Sequence, residues 1–263
     1  MVSFHPNWPA ANFGYSWNVE MDIKKGDFTM EKVALVTGSA GNGIGRSTAL
    51  TLAKDGYSII INYRSNESSA ESICSYINKN GGKASPVKAD VFKEDDCNYL
   101  LEETLRLYHR VDSCIIGPGA GWNPEKPVNL KPQNSLSDVL KEIKPIYYLL
   151  PKVIKKMENT GGCIIGIASN PDLPSPAYSY NVAKNSRIDA FLGLVNSCWQ
   201  KRIRVNIVAP GPVDHYNSLE SAIHSFKNKD HSKITPQDIA ETISFLCSEN
   251  GSFITGNVIK YSF

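Results

Sequence analysis

What this chain lacks narrows its class first. No apolar run in its 263 residues reaches the roughly 18 that a membrane-spanning helix needs, so no membrane role is expected. Charge of one sign is not in excess. Lys and Arg number 28 and Asp and Glu 26, a formal net charge of +2. Such a balance gives no electrostatic ground for binding nucleic acid or an anionic membrane surface. The six cysteines, Cys74, Cys97, Cys114, Cys163, Cys198 and Cys247, include no C-x-x-C pair and show no ligand spacing to the five histidines. Neither a disulfide framework nor a metal site is therefore expected. Cys114 and Cys163 lie in apolar, strand-like runs and read as buried thiols. The basic start, apolar middle and cleavage site of a signal peptide are also missing, which with the unpaired thiols points to a reducing cytoplasm. Internal repeats and low-complexity tracts are absent.

What is present is an alternation. Apolar residues make up 41%, enough to fill a substantial core, and open α/β sheets often run to about 250 residues as one domain. Residues 1–30 stand apart. They carry Phe4, Trp8, Phe13, Tyr15 and Trp17 with Pro6 and Pro9, and show neither helical nor strand period. They are predicted to be an aromatic-rich arm or tail, or an upstream start before Met30. From residue 31 onward, strands are predicted over 33–37, 57–63, 83–90, 111–117, 163–169, 203–208 and 257–261. Helices are predicted between them, over 43–54, 66–79, 94–108, 136–157 (containing Pro145), 177–199 and 236–248. Strands apolar on both faces and joined by helices belong to a parallel sheet covered on both sides. Right-handed crossovers make it a single doubly wound domain, with its ligand site at the carboxyl ends of the strands.

The first strand runs into Thr37-Gly38-Ser39-Ala40-Gly41-Asn42-Gly43-Ile44-Gly45-Arg46. Glycines let the backbone turn sharply and approach a ligand, and the helix behind them points free N–H groups at a phosphate. The spacing is not a Walker loop, because no lysine follows, and it is not G-x-G-x-x-G. It resembles the T-G-x-x-x-G-x-G turn of short-chain dehydrogenases/reductases, with one extra residue between Gly38 and Gly43. The likeness runs from about Met30 to the end of the chain. It implies a Rossmann-type fold of about seven strands, helices on both faces, and a nicotinamide dinucleotide on Gly38, Ser39, Asn42, Gly43, Ile44 and Gly45.

The second strand ends in Tyr63-Arg64-Ser65, where an NAD-preferring site usually carries an acidic residue. Arg64 and Ser65 would instead hold a 2′-phosphate, so NADP is expected over NAD. The alternative for Arg64 is a solvated surface side chain. Asp90-Val91 resembles the adenine-contacting pair of the family, with a helix cap as the alternative for Asp90.

Tyr180 and Lys184 are four apart on a predicted helix and so share one face. They match the family's Y-x-x-x-K. The ammonium, with an oxidised nicotinamide, is expected to lower the phenol's pKa and let Tyr180 exchange a proton with a carbonyl or alcohol oxygen. Lys184 would also hold the nicotinamide ribose. Ser169, at the end of the preceding strand, matches the catalytic serine that stabilises the substrate oxygen. A strand-end cap is its alternative. Arg204-Val-Asn-Ile-Val-Ala-Pro210-Gly211-Pro-Val213 resembles the family's R-V-N-x-V-x-P-G-x-V, placing Pro210, Gly211 and Val213 against the nicotinamide. Thr235-Pro-Gln-Asp238 and Phe253-Ile-Thr255-Gly256 resemble the starts of its last helix and last strand.

The departures are as specific. The family's N-N-A-G reads Ile116-Gly117-Pro118-Gly119 here, which keeps backbone contacts by Gly117 and Gly119 but loses the amides. The family's catalytic Asn, which helps hold a proton-relay water, falls at Glu142, or at Lys144 if the register slips. Glu142 would hold the same water and pair with Lys184, or else be an exposed glutamate without a role. Only eleven residues separate Ser169 from Tyr180, and the intervening loop is stiffened by prolines. His215 stands where a cofactor-touching Thr is usual. Residues 216–234 form a polar segment that resembles the substrate lid.

The resemblance implies an enzyme interconverting a small-molecule carbonyl and alcohol by hydride transfer, assembled as a homodimer or homotetramer through helices 136–157 and 177–199. A cofactor-binding sensor or scaffold without turnover is the competing reading. An unrelated methyltransferase leaves Tyr180, Lys184 and Ser169 unexplained.

Overall fold

The computed structural model describes residues 31–225 and 232–262. The predicted aromatic arm, residues 1–30, lies outside them, as does the middle of the predicted lid, residues 226–231. Seven strands alternate with helices in chain order. They are β1 Val33–Val36, α1 Ile44–Lys54, β2 Ser58–Tyr63, α2 Glu67–Lys79, β3 Lys83–Lys88, α3 Glu94–Tyr108, β4 Ser113–Ile116 and α4 Pro132–Met157. Then follow β5 Gly162–Ile167, α5 Tyr178–Leu192, α6 Val195–Trp199, β6 Ile203–Ala209, α7 Leu219–Ser225, α8 Pro236–Cys247 and β7 Val258–Lys260.

The strands form one sheet in the order β3-β2-β1-β4-β5-β6-β7, and every pairing is parallel. The order reverses between β1 and β4, and there a doubly wound sheet opens a crevice for ligand. Alternation along β2 shows how the two cores arise. Ile59 and Ile61 point into a cluster with Leu52 of α1, Ile73 of α2 and Ile243 of α8. Ile60 points the other way, to Leu100 of α3, Leu149 and Val153 of α4 and Phe191 of α5. All six cysteines are buried and free, and burial pushes the Cys74 and Cys97 thiols up to about 12. Among the described residues no helix is long and apolar enough to cross a membrane.

Two helices differ from expectation. The helix predicted over 136–157 begins four residues earlier, at Pro132, because proline at the first position presets φ and gives up only an N–H that would be unpaired anyway. It runs through Pro145 and Pro151; the carbonyls that lose partners belong to Lys141 and Tyr147, both exposed. The helix predicted over 177–199 breaks into α5 and α6 at Gly193-Leu194, glycine being the weakest helix former after proline. The polar segment after β6 contains α7, which had no forecast. Its base is closed by the Asp214 N–H donating to the Ile234 carbonyl at 3.2 Å and by the Lys233–Asp214 ion pair.

Candidate active site

The site is built on the carboxyl ends of the strands, beginning with the turn after β1. The Thr37 hydroxyl donates to the Ile115 carbonyl and accepts from the Gly117 N–H, both at 3.0 Å, tying β1 to β4 where the order reverses. Gly38 takes φ +64° and donates its N–H to Asn62 Oδ1 at 3.0 Å. The buried Asn62 amide also donates to Val87 and Ala89, so one side chain holds the turns after β1, β2 and β3 together. A polar residue inside an otherwise apolar strand was its only signal in the sequence. At Gly45 a Cβ would lie 2.8 Å from the Gly38 carbonyl oxygen, so only glycine lets α1 start this close to the turn. Gly43 caps α1 with the exposed His215 ring beside it, and Ile44 opens the helix. Asn42 is exposed and accepts from Arg46 at 2.8 Å.

Ser39 is held within the turn itself. It is fully buried, its hydroxyl donates to the Val36 carbonyl at 2.8 Å and its N–H to the Asn62 carbonyl, so it shapes the turn instead of facing the cleft.

Beside the turn lies a cavity of about 360 Å³. Gly38, Arg64, Ser65, Asp90, Val91 and Gly119 all border it, with Arg64 and Ser65 exposed at its rim. No acidic side chain comes from the end of β2; Asp90 is the one carboxylate in the lining. Its Oδ1 accepts the Phe92 N–H at 3.1 Å in a local turn; the cap position of α3 is Lys93, so Asp90 is not that helix's cap. Glycine backbone, small side chains and a cationic rim fit the adenosine half of a nicotinamide dinucleotide. Arg46 adds a further donor set near the turn: it is buried, and its Nε and Nη1 lack hydrogen-bond partners among the described residues.

Tyr180 and Lys184 lie one turn apart on α5, with the Lys184 ammonium 5.2 Å from the centre of the Tyr180 ring. The Ser169 hydroxyl lies beside the phenol and favours its ionised form. The expectation of a lowered phenol pKa is reversed for the protein itself. Burial pushes Tyr180 above its usual 10.0, and the Glu142 carboxylate adds to this against the opposing effects of Ser169 and Arg187. The Lys184 ammonium is itself paired with another group. Its Nζ is 2.9 Å from Glu142 Oε1, and both side chains are buried. Burial first, and then Arg187, lower the Lys184 ammonium, while Glu142 opposes them.

Glu142 is therefore not an exposed glutamate, and Lys144, half-buried two residues on, does not take its place. Its carboxylate accepts from the Ala120 N–H at 2.7 Å and from Arg187 at 2.7 Å. Arg187 had no forecast. Its position seven after Tyr180 on the same helical stripe is the signal that could have found it. Gly119 is required here because a Cβ would overlap the Glu142 carboxylate.

The segment after β6 is pinned to the residues that follow β5 and β7. The Asn170 N–H donates to the Pro210 carbonyl at 2.9 Å and the Gly211 N–H to the Tyr261 carbonyl at 3.1 Å, while Val213 packs on the core. From the opposite side, Glu125 caps α5. Its carboxylate accepts the Ser179 N–H at 2.7 Å and the Ser179 hydroxyl at 3.0 Å. The Ser179 amide holds its carboxyl below the usual 4.5. A depressed carboxylate contributes stability above its unfolded value and loses it as pH falls through the folded value. The thermal midpoint of the protein is thus expected to drop below about pH 4.5, and Glu125→Gln to flatten part of that drop. Identical acid limbs for the two proteins in a pH series of melts would remove Glu125 from this role.

A doubly wound nucleotide-binding sheet with a serine, tyrosine and lysine at its carboxyl edge defines a dehydrogenase or reductase class of α/β oxidoreductase. A family model described as Enoyl-(Acyl carrier protein) reductase matches residues 38–262. The 3-oxoacyl-[acyl-carrier-protein] reductase FabG of Staphylococcus epidermidis is 30% identical over 88% of this chain and 97% of its own. Glucose 1-dehydrogenase 2 of Bacillus subtilis is 28% identical over 86% and 91%. A solved 7α-hydroxysteroid dehydrogenase, complexed with NADH and 7-oxo glycochenodeoxycholic acid, superposes with a TM-score of 0.76, at 26% identity over 89% of this chain and 94% of its own. The chain belongs to the short-chain dehydrogenase/reductase family and is an oxidoreductase.

Proposed function

We propose that the protein is an NADP(H)-dependent enzyme that interconverts a small-molecule carbonyl and its alcohol, with Tyr180 as the acid/base. The observation that carries this reading is the Ser169–Tyr180–Lys184 group at the same edge of the sheet as the glycine-lined cavity. A bound nicotinamide supplies or accepts the hydride. The Tyr180 phenol, pushed above 10.0, stays protonated across neutral pH and is ready to donate its proton to a carbonyl oxygen. Ser169 holds that oxygen, and its hydrogen bond steadies the negative charge that develops there. Lys184, beside the Tyr180 ring, would steady the phenolate that remains and would hold the nicotinamide ribose. In the alcohol direction the same phenol must first lose its proton, so oxidation speeds up as pH rises. A panel of carbonyl compounds with NADPH, followed by loss of cofactor absorbance, tests the reading; binding without turnover on every compound would sink it.

Preference for NADP rests on Arg64 and Ser65 at the cavity rim and on the lack of a β2 carboxylate. A charge-assisted hydrogen bond is worth about 1.5–3 kcal/mol, or roughly 10–100-fold in affinity. Arg64→Glu is therefore expected to weaken NADPH by about that factor and to leave NADH unchanged or improved, as read by titration of each. An unaltered NADPH-to-NADH ratio would clear Arg64 of the role. Self-association is supported by a row of exposed apolar residues on α4, Leu136, Leu140 and Tyr147, which share one helix face. Sedimentation showing only monomers at micromolar concentration would refute a dimer or tetramer. Six unpaired thiols suit a cytoplasmic home.

A further inference from the structure

We infer that Arg187 is a positioning residue for the Tyr180–Lys184 pair, acting through Glu142. The inference rests on the reading of Tyr180 and Lys184 as the reacting pair.

Arg187 lies on α5, seven residues after Tyr180 and three after Lys184, and is fully buried. Its Nη2 donates to the Ile116 carbonyl at 2.7 Å, at the end of β4. Its Nη1 donates to the Pro118 carbonyl at 2.9 Å and to Glu142 Oε2 at 2.7 Å, and lies 3.4 Å from the Glu142 carbonyl. One guanidinium thus joins β4, the turn behind it, α4 and α5. These are the places where the sequence departs from N-N-A-G and from the α4 asparagine. A planar fork can serve carbonyls and a carboxylate together, which lysine or leucine could not.

Glu142 receives three donors, the Ala120 N–H, Arg187 and Lys184, and has no exposure to water. Glu142 is therefore held in one place by these partners. It fixes the Lys184 ammonium beside the Tyr180 ring and spends part of its charge there. The charged and titratable groups around the phenol are then Glu142 from α4 and Lys184 and Arg187 from α5, with the Ser169 hydroxyl from the end of β5.

That arrangement gives two substitutions opposite signatures. Arg187→Leu removes a cation that favours phenolate, so the Tyr180 ionisation midpoint rises. Glu142→Gln removes an anion that opposes phenolate, so the midpoint falls. A residue that merely fills space would move both the same way, or neither. The midpoint is read from the ultraviolet absorbance of tyrosinate, as the difference between each protein and the same protein carrying Tyr180→Phe, which isolates one phenol among the 12 tyrosines. A displacement of half a pH unit or more in opposite directions is expected. In turnover, Arg187→Leu is expected to lower kcat at least tenfold with less than a threefold change in KM for NADPH.

If either single variant does not fold, Glu142→Gln with Arg187→Met removes both charges at once. It should fold and bring the midpoint back towards that of the parent. Shifts of the same sign, no shift, or a double variant no closer to the parent than the folded single would overturn the inference. The absorbance titration needs no cofactor, so the inference can stand or fall apart from the NADP(H) reading. A parent protein that binds neither nicotinamide dinucleotide would sink that reading alone.

Discussion

Replacing Tyr180 by phenylalanine is expected to lower kcat by about 100- to 10,000-fold, the range over which a positioned acid/base contributes. Each factor of ten corresponds to about 1.4 kcal/mol of barrier, so the loss is roughly 3–5 kcal/mol. Phenylalanine keeps the ring that Lys184 faces and removes only the hydroxyl beside Ser169. Binding of NADPH should therefore change less than threefold, and the defect should fall on kcat, the signature of an interaction made in the transition state alone. Stopped-flow measurement of NADPH oxidation beside a calorimetric titration separates the two quantities. Near-normal turnover would take Tyr180 out of the mechanism.

Glu142→Ala carries the largest expected cost in stability. It leaves Lys184 and Arg187 facing each other in the interior without their anion. Breaking a buried pair by deleting one partner typically costs about 3–5 kcal/mol, because the charge left behind is neither solvated nor paired. A chain of this size loses roughly 2–4 °C of midpoint per kcal/mol, so the melt should fall by about 6–20 °C. Against a total stability of about 5–15 kcal/mol, such a change leaves little margin. A calorimetric midpoint within about 2 °C of the parent would show that the cluster contributes little to the fold.

The fold was legible because its signals are local. Strands such as β2, apolar on both faces, announce a covered parallel sheet, and α3 and α8 have clear helical ends. Of the site, the residues fixed by short spacings were legible: the Gly38–Gly45 turn, and Tyr180 with Lys184. Glu142 could be found only by counting along α4, and the count could not say that it is buried. Arg187 stayed hidden because charged residues are nearly always exposed unless paired, and its partners come from β4 and α4, some 45 to 71 residues away. Glu125 capping α5 from 54 residues upstream is hidden for the same reason. For Ser39 the motif assigns a turn position without saying that its hydroxyl bonds the Val36 carbonyl.

Dissolved ions act on charges they can approach. Pairs at the surface, such as Lys201–Glu158 and Lys32–Glu249, weaken in brine, because screening at molar salt reaches within about 3 Å. Glu142 and Arg187 have no surface for an ion to approach, and Lys184 has almost none. The part of the field at the Tyr180 phenol that comes from these three charges is thereby insulated from the ionic make-up of the medium.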